Sequence, residues 1–337
     1  MKGYTASWWV RTVDSATWED NGTVNGVTSV SVSKDCTDDV PLLETGSMDF
    51  DDGSSFNWSW CRIYMTVDQV GTVRYPIATL LFERASSRHE KGSTTLTANG
   101  RSVLQPAADM KMPRGSFVAE GTDGASEAAR LIRACTPAPV HVEGSFTLVD
   151  DVVFDLGCSY LDAAWAILKA VDWCIQIDGR GEVFVRPKPI EPALELSRTN
   201  AGMLIPGIDD DYSLVDIPNR YYAVDESEVA VATNEDPSSS TSLQARGRWV
   251  DVVDESPTLV DGETLESYAI RRLAEESTIT RTYSYSREWQ PDVTCFDLVR
   301  ATIASNGISG DLRVMSQEIT CGRGALVSEK VGEEVRV

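Results

Sequence analysis

Residues 159–189, "SYLDAAWAILKAVDWCIQIDGRGEVFVRPKP", leave few ways to fold. Ser159 and Asp162 have the spacing of a helix capping box, with Asp in place of the usual Glu. Leu161, Ala164, Trp165 and Leu168 follow at helical intervals as an apolar stripe. A strand, an Asp-Gly-Arg-Gly turn and a second strand ending on prolines complete the unit. If Asp178 pairs with Glu182, three residues form the loop, with Gly181 left-handed in a bulge. That register sets Ile177 opposite Val183 and Ile175 opposite Val185, all apolar on one face. A loop of even length would oppose Ile177 to Glu182 instead. Burial of one face selects the first register. Asp178 and Glu182 then flank an exposed turn, where their charge keeps the protein soluble and has no catalytic part.

The segments on either side read differently. Up to about residue 105, short alternating runs such as "TSVSVSKD" and "RYPIATLLFER" sit between Gly, Asn, Asp and Ser clusters, the pattern of an all-β lobe. Val30 and Val32 fall on one face of such a strand, with Ser29, Ser31 and Ser33 on the other. A helix is predicted within 120–135, capped by Thr122 or Asp123, with Ala128, Leu131, Ile132 and Cys135 at helical spacing, and stopped by Pro137 and Pro139. From about 190 the chain is strand-rich again. The polar stretch "NEDPSSSTSLQARG" (234–247) interrupts it and is expected to be mobile. A helix capped at Asp261 follows, with Leu265, Ala269 and Leu273 along one side, and then a hairpin through Asn306-Gly307 and Gly310.

Several functions are disfavoured by these residues. The formal net charge of −22 over 337 residues opposes binding to a phosphate backbone, which needs clustered Lys and Arg. No apolar run approaches 18 residues, so no transmembrane helix is expected, and "MKGYTASWWVRTVD" lacks the apolar core of a secretory signal, which implies synthesis in the cytoplasm. Seven cysteines without C-x-x-C spacing read as reduced, mostly buried thiols, and two distant histidines, His89 and His141, make a zinc site improbable. "DFDDGS" (49–54) and "GIDDDYS" (207–213) lack the ligand spacing of a calcium loop. There is no nucleophile elbow, Cys–His pairing or phosphate loop. Trp8, Trp9, Trp18, Trp58 and Trp60 crowd the first lobe; packing in a core or subunit interface is the expectation, a carbohydrate platform the alternative. No catalytic, cofactor-binding or metal-ligating residue is assigned, and no cofactor is expected.

The order of the pieces resembles the baseplate-hub (late control protein D-like) family of bacteriophage tail proteins. At the front, "VTSVSVSKD…LLETGSMDFDD…CRIYMTVD…RYPIATLLFER" (27–84) is similar to that family's first barrel. In the middle, "GTDGASEAARLIRAC" followed by "YLDAAWAILKAVDWCIQIDGRGEVFVRPKP" is the most specific stretch. "IPNRYYAV", "ESYAIRRLAEES" and "QPDVTCFDLVRATIASNGISGDLRVMSQEIT" (290–320) then follow in the family's order. The resemblance implies a mainly β, α+β chain: a tube-like β-barrel at 1–108, an α/β domain at 109–190, a second barrel from 191–230 and 280–325, a loop-plus-helix insertion at 231–279, and a tail at 326–337. It also implies a structural, non-enzymatic hub at the distal end of the virion tail. There a homotrimeric ring joins the tail tube or distal tail protein to a spike, fibre or tail-tip protein and lets DNA pass without binding it stably. The residues alone leave trimer versus hexamer open. The alternative is another distal tail component with a receptor- or sugar-binding role. The chain ends soon after the final barrel, so wall-degrading activity is expected on a different chain.

Overall fold

The computed structural model describes residues 7–37, 40–51, 56, 59–66, 73–90, 93–169, 171–197, 204–211, 217–225, 228–255, 257, 264–303, 308–321 and 326–336. The chain opens with β1 (Trp8–Val13), β2 (Asp20–Thr23), β3 (Val27–Asp35), β4 (Leu43–Phe50), β5 (Ser59–Met65), β6 (Tyr75–Glu90) and β7 (Ser93–Arg101). The mixed middle holds α1 (Gln105–Asp109), β8 (Phe117–Val118), α2 (Gly124–Arg133), β9 (Val140–Val142), β10 (Val152–Val153), α3 (Tyr160–Lys169), β11 (Trp173–Ile177) and β12 (Val183–Pro187). The rest comprises β13 (Pro192–Ser197), β14 (Leu204–Asp211), β15 (Arg220–Val224), β16 (Val229–Thr233), α4 (Leu243–Arg246), β17 (Asp251–Asp254), α5 (Leu265–Glu276), β18 (Thr278–Glu288), β19 (Leu298–Ile303), β20 (Ile308–Cys321) and β21 (Leu326–Arg336).

Two compact units result: Met1–Ile208 with Ser284–Val331, and Asp209–Tyr283 with Gly332–Val337. The fold is mostly β. One 13-stranded sheet runs β14-β18-β21-β20-β3-β4-β7-β6-β5-β1-β2, with β19 joining β20 and β13 joining β19 in parallel. The strands expected to form two separate tubes therefore share a sheet through the antiparallel β3–β20 ladder, where Asp35 faces Ser316 and Val30 faces Cys321. Among the described residues this sheet has open ends and no closed barrel forms. Val30 and Val32 are buried, while Ser29 and Ser33 are exposed, as their alternation requires. Their core also takes in Phe50, Ile63 and Phe82 from the early strands and Trp289, Ile319 and Val327 from the late ones.

In the middle, α2 and α3 cover the sheet β11-β12-β9. Asp123 is the N-cap of α2, its side chain accepting from Ala125 N at 3.2 Å. The capping box of α3 is complete: Asp162 N donates to Ser159 Oγ at 3.0 Å and Ser159 N to Asp162 Oδ2 at 2.7 Å.

The second unit is a three-stranded sheet, β16-β15-β17, backed on one face by α5. From the sequence, β15 and the start of β16 fall in the second barrel; in the structure both pair within this small sheet. Thr264, not Asp261, caps α5, accepting from Ser267 N at 3.2 Å; Asp261 lies outside the described residues. Gly310 sits within β20 opposite Ala301 and is no part of a turn, and Asn306-Gly307 also lies outside the described residues.

The polar stretch 234–247, expected to be mobile, is pinned. Fully buried Asn219 donates to Thr241 O and Arg248 O, both at 3.0 Å, and accepts from Val250 N at 2.7 Å. Asn234 Nδ2 donates to Ser239 Oγ at 2.9 Å, and Ser242 caps the short α4. Hydrogen bonds to Asn219, just before β15, hold a segment that has too few apolar residues to bury itself.

Candidate functional site

The β11–β12 hairpin has the predicted register, Ile177 facing Val183 and Ile175 facing Val185, with Asp178 N bonded to Glu182 O at 3.1 Å and Gly181 at φ 73°. Its turn, however, is docked through its backbone, with Gly181 buried, Asp178, Gly179 and Glu182 half-buried and Arg180 exposed. Arg180 O accepts from Trp18 Nε1 at 2.9 Å and from Arg62 Nη2 at 3.0 Å, and Gly179 O accepts from Thr79 Oγ1 at 3.2 Å. A Cβ on Gly179 would lie 1.9 Å from Pro76 O, and one on Gly181 2.7 Å from Thr79 Cβ. Two turn glycines thus permit contact with β6, a demand that loop composition alone does not reveal.

Arg62, on β5, organises this seat. It is buried and also donates to Thr79 Oγ1 (3.0 Å), Asp20 Oδ1 (2.9 Å) and Trp18 O (3.1 Å). Asp20 accepts in turn from Tyr64 OH at 2.8 Å. Trp18 meets Trp60 edge-on with ring centroids 5.5 Å apart, and Trp9 stacks on Tyr64 beneath the Arg74 guanidinium. The described tryptophans of the crowd are therefore engaged in packing; Trp58 lies outside the described residues. The signal for Arg62 was present in "CRIYM", a charge amid apolar strand positions.

A cleft of about 310 Å³ opens beside the seat, lined in part by Lys34, Gln176, Asp178, Trp289, Thr294 and Asp297. Three carboxyls surround its one buried ammonium. Glu44 faces Lys34 Nζ at 2.8 Å, yet burial outweighs that attraction and pushes its pKa up. Burial also raises Asp178, although its Oδ1 accepts from Arg180 N and Glu182 N, both at 2.9 Å. Asp297 is raised for the same reason while accepting from Gln176 Nε2 at 3.0 Å and Thr294 N at 2.8 Å. A second buried pair, Arg287 Nε with Glu329 Oε2 at 2.9 Å, is closed by Tyr285 OH and Gln317 Nε2, both 2.7 Å from the carboxylate.

Asp178 and Asp297 are each held by two hydrogen bonds, whereas Glu44 is buried with only the Lys34 ion pair and no hydrogen-bond donor on its second oxygen. Among the described residues no three His, Cys, Asp or Glu are placed to hold a metal ion. Asp49 accepts from Ser29 and Thr97, Asp210 pairs with Arg281, and His141 Nε2 meets Glu182 Oε2 at 2.8 Å. Burial pushes the thiols of Cys61, Cys174 and Cys321 up to about 12, which keeps them protonated and unreactive. No described helix is long and apolar enough to cross a membrane.

What the surface does offer is apolar. In the first unit, the ribbon of β8 and β10 sets Phe117 opposite Val153, and Phe117, Val149, Val153 and Leu156 are 59%, 81%, 74% and 84% exposed. In the second unit, the sheet face away from α5 presents Val229, Val231 and Val253, with Tyr222 alongside. Exposed apolar side chains grouped in this way are the surfaces that a protein partner would cover.

No protein-family model matches this sequence, and no curated protein matches it. The fold has counterparts. A tail protein of Neisseria meningitidis MC58 superposes with a TM-score of 0.67 at 15% identity, covering 98% of this chain and 97% of its own. A 43-kDa tail protein of prophage MuSo2 from Shewanella oneidensis gives 0.65 at 12% identity, covering 96% and 97%. A prophage tail protein of Listeria monocytogenes EGD-e gives 0.51 at 12% identity, covering 96% and 94%. The fold is that of phage-type tail proteins, shared over nearly the full length of each chain.

Proposed function

We propose that this chain is a structural tail component of a phage or phage-derived particle, acting as the hub at the distal end of the tail. The observation that carries the reading is the end-to-end likeness to tail proteins. The buried, protonated thiols and the two hydrogen bonds that hold each of Asp178 and Asp297 favour a scaffold over an enzyme.

In this reading three copies close into a ring between the tail tube and a spike, fibre or tail-tip protein. The early strands β1–β7 and the late strands β13, β19 and β20 of each copy supply two similar faces, six in a trimer, that match a six-fold tube to a three-fold tip. With a net charge of −22, copies repel at long range, so their contacts must gain from buried apolar surface such as Phe117 and Val153 of the ribbon. Carboxylates lining the ring's channel would let DNA slide past without adhering.

Immunogold microscopy of intact particles tests the placement: gold at the distal tail end is expected, and label absent from particles but present in the lysate would overturn it. Native mass spectrometry of the purified chain tests the ring, for which a species of three times the 36.9-kDa chain mass is expected.

A further inference from the structure

Cys36 and Cys295 are distant in sequence and adjacent in space. Cys36 follows β3 directly; its backbone N donates to Met315 O at 2.9 Å and its Sγ donates to the same oxygen at 3.3 Å. Cys295, in the loop before β19, donates its Sγ to that oxygen at 3.6 Å. Phe296 N and Asp297 O bond Val314 at 3.0 and 2.8 Å, so both cysteines' segments are anchored to residues 314 and 315 of β20. The Cys295 thiol is held well above its ordinary pKa, first by a hydrogen bond with the Cys36 sulfur and second by burial. Among the described residues no other two cysteines share an acceptor. Cys36 is half-buried, and Cys295 is 4% exposed.

We propose that Cys36 and Cys295 are a redox-closed staple, open as two thiols in a reducing cytoplasm and closed to a disulfide on exposure to a low-molecular-weight disulfide such as oxidised glutathione. The Cys36 thiolate attacks one sulfur of glutathione disulfide, forming a mixed disulfide and releasing one glutathione thiolate. Cys295 then gives its proton to solvent and attacks the Cys36 sulfur; the new S–S bond forms as the second glutathione leaves. Two protein thiols are oxidised and one glutathione disulfide is reduced to two glutathiones. The half-buried sulfur receives the oxidant, and the buried one resolves it. The bond ties the end of β3 to the segment entering β19, closing a loop of most of the chain, the case in which a cross-link restricts the unfolded state most.

The test uses the full chain, equilibrated in glutathione buffers from fully reducing to oxidising, quenched in acid, alkylated after unfolding in denaturant, and weighed intact. Seven alkylated thiols are expected under reducing conditions and five under oxidising ones, with peptide mapping placing the missing two at Cys36 and Cys295. The oxidised wild type should also unfold at higher denaturant concentration than the reduced form, a difference absent in Cys36→Ser. Seven alkylated thiols throughout, a cross-link joining any other pair, or a glutathione adduct that persists on Cys36 would each overturn the proposal. The mapping on wild type stands even if a variant folds poorly.

Discussion

Arg62 carries five N–H groups into a buried site, and four of its contacts join parts of the chain that are remote in sequence: Asp20, Trp18 O, Thr79 and Arg180 O. Arg62→Ala should therefore lower stability by about 3–5 kcal/mol in denaturant unfolding, since several buried acceptors lose their donor at once. Arg62→Lys should fall in between, because an ammonium keeps the charge and loses the fork. Asp297 gives a prediction in pH. Its folded pKa lies above the unfolded value, so its neutral form is favoured by folding; stability from this group is full below about pH 4 and is lost as pH rises through the folded pKa. Wild type should accordingly lose stability relative to Asp297→Asn as pH rises above about 4, and a constant or opposite difference would exclude burial as the cause. Such residues are hard to read from a sequence. The charge of Arg62 was visible amid apolar neighbours, but its partners come from three separate segments.

At the level of elements, local chemistry was the reliable guide. The Ser159–Asp162 box, the three-residue turn at 179–181 and the alternation of Val30 and Val32 each depend on neighbours within a few positions, and all three are found. Exposure of the hairpin turn was misjudged because its seat is built from β5 and β6, far upstream. The order of 234–247 was missed for the same kind of reason: its anchor, Asn219, sits before β15. Asn219→Ala should cost about 2–4 kcal/mol, leaving two carbonyls and one N–H without this partner, and limited proteolysis should then cut within 234–247 in the variant sooner than in wild type. Equal cleavage rates would show that the loop is held by other contacts.

For the whole molecule, the mainly β class with a mixed middle was legible from turn spacing and helix signals, whereas the joining of early and late strands into one sheet was not. Pairing between segments some 280 positions apart leaves no periodic trace; it is set by which edges remain to be covered once each lobe has formed. The apolar ribbon belongs to this scale too. Val153→Asp with Leu156→Asp changes two side chains that are already exposed, so the monomer should keep its unfolding midpoint within about 0.5 kcal/mol while the assembled species disappears from sedimentation profiles. Assembly unaffected by both changes would remove the ribbon as a contact face.

The β3–β20 ladder also imposes an order on synthesis. Val30 and Val32 leave the ribosome early, but the strand that pairs with theirs emerges only after nearly 300 residues have been made. At about 5–20 residues per second the edge of β3 waits on the order of 15–60 s without its partner. For that interval a nascent chain presents an open strand beside an unfinished core, on polysomes where neighbouring copies present the same edge. Crowded translation is thus the moment at which this protein is most exposed to pairing with the wrong copy, and the rate at which ribosomes deliver β20 decides how long that moment lasts.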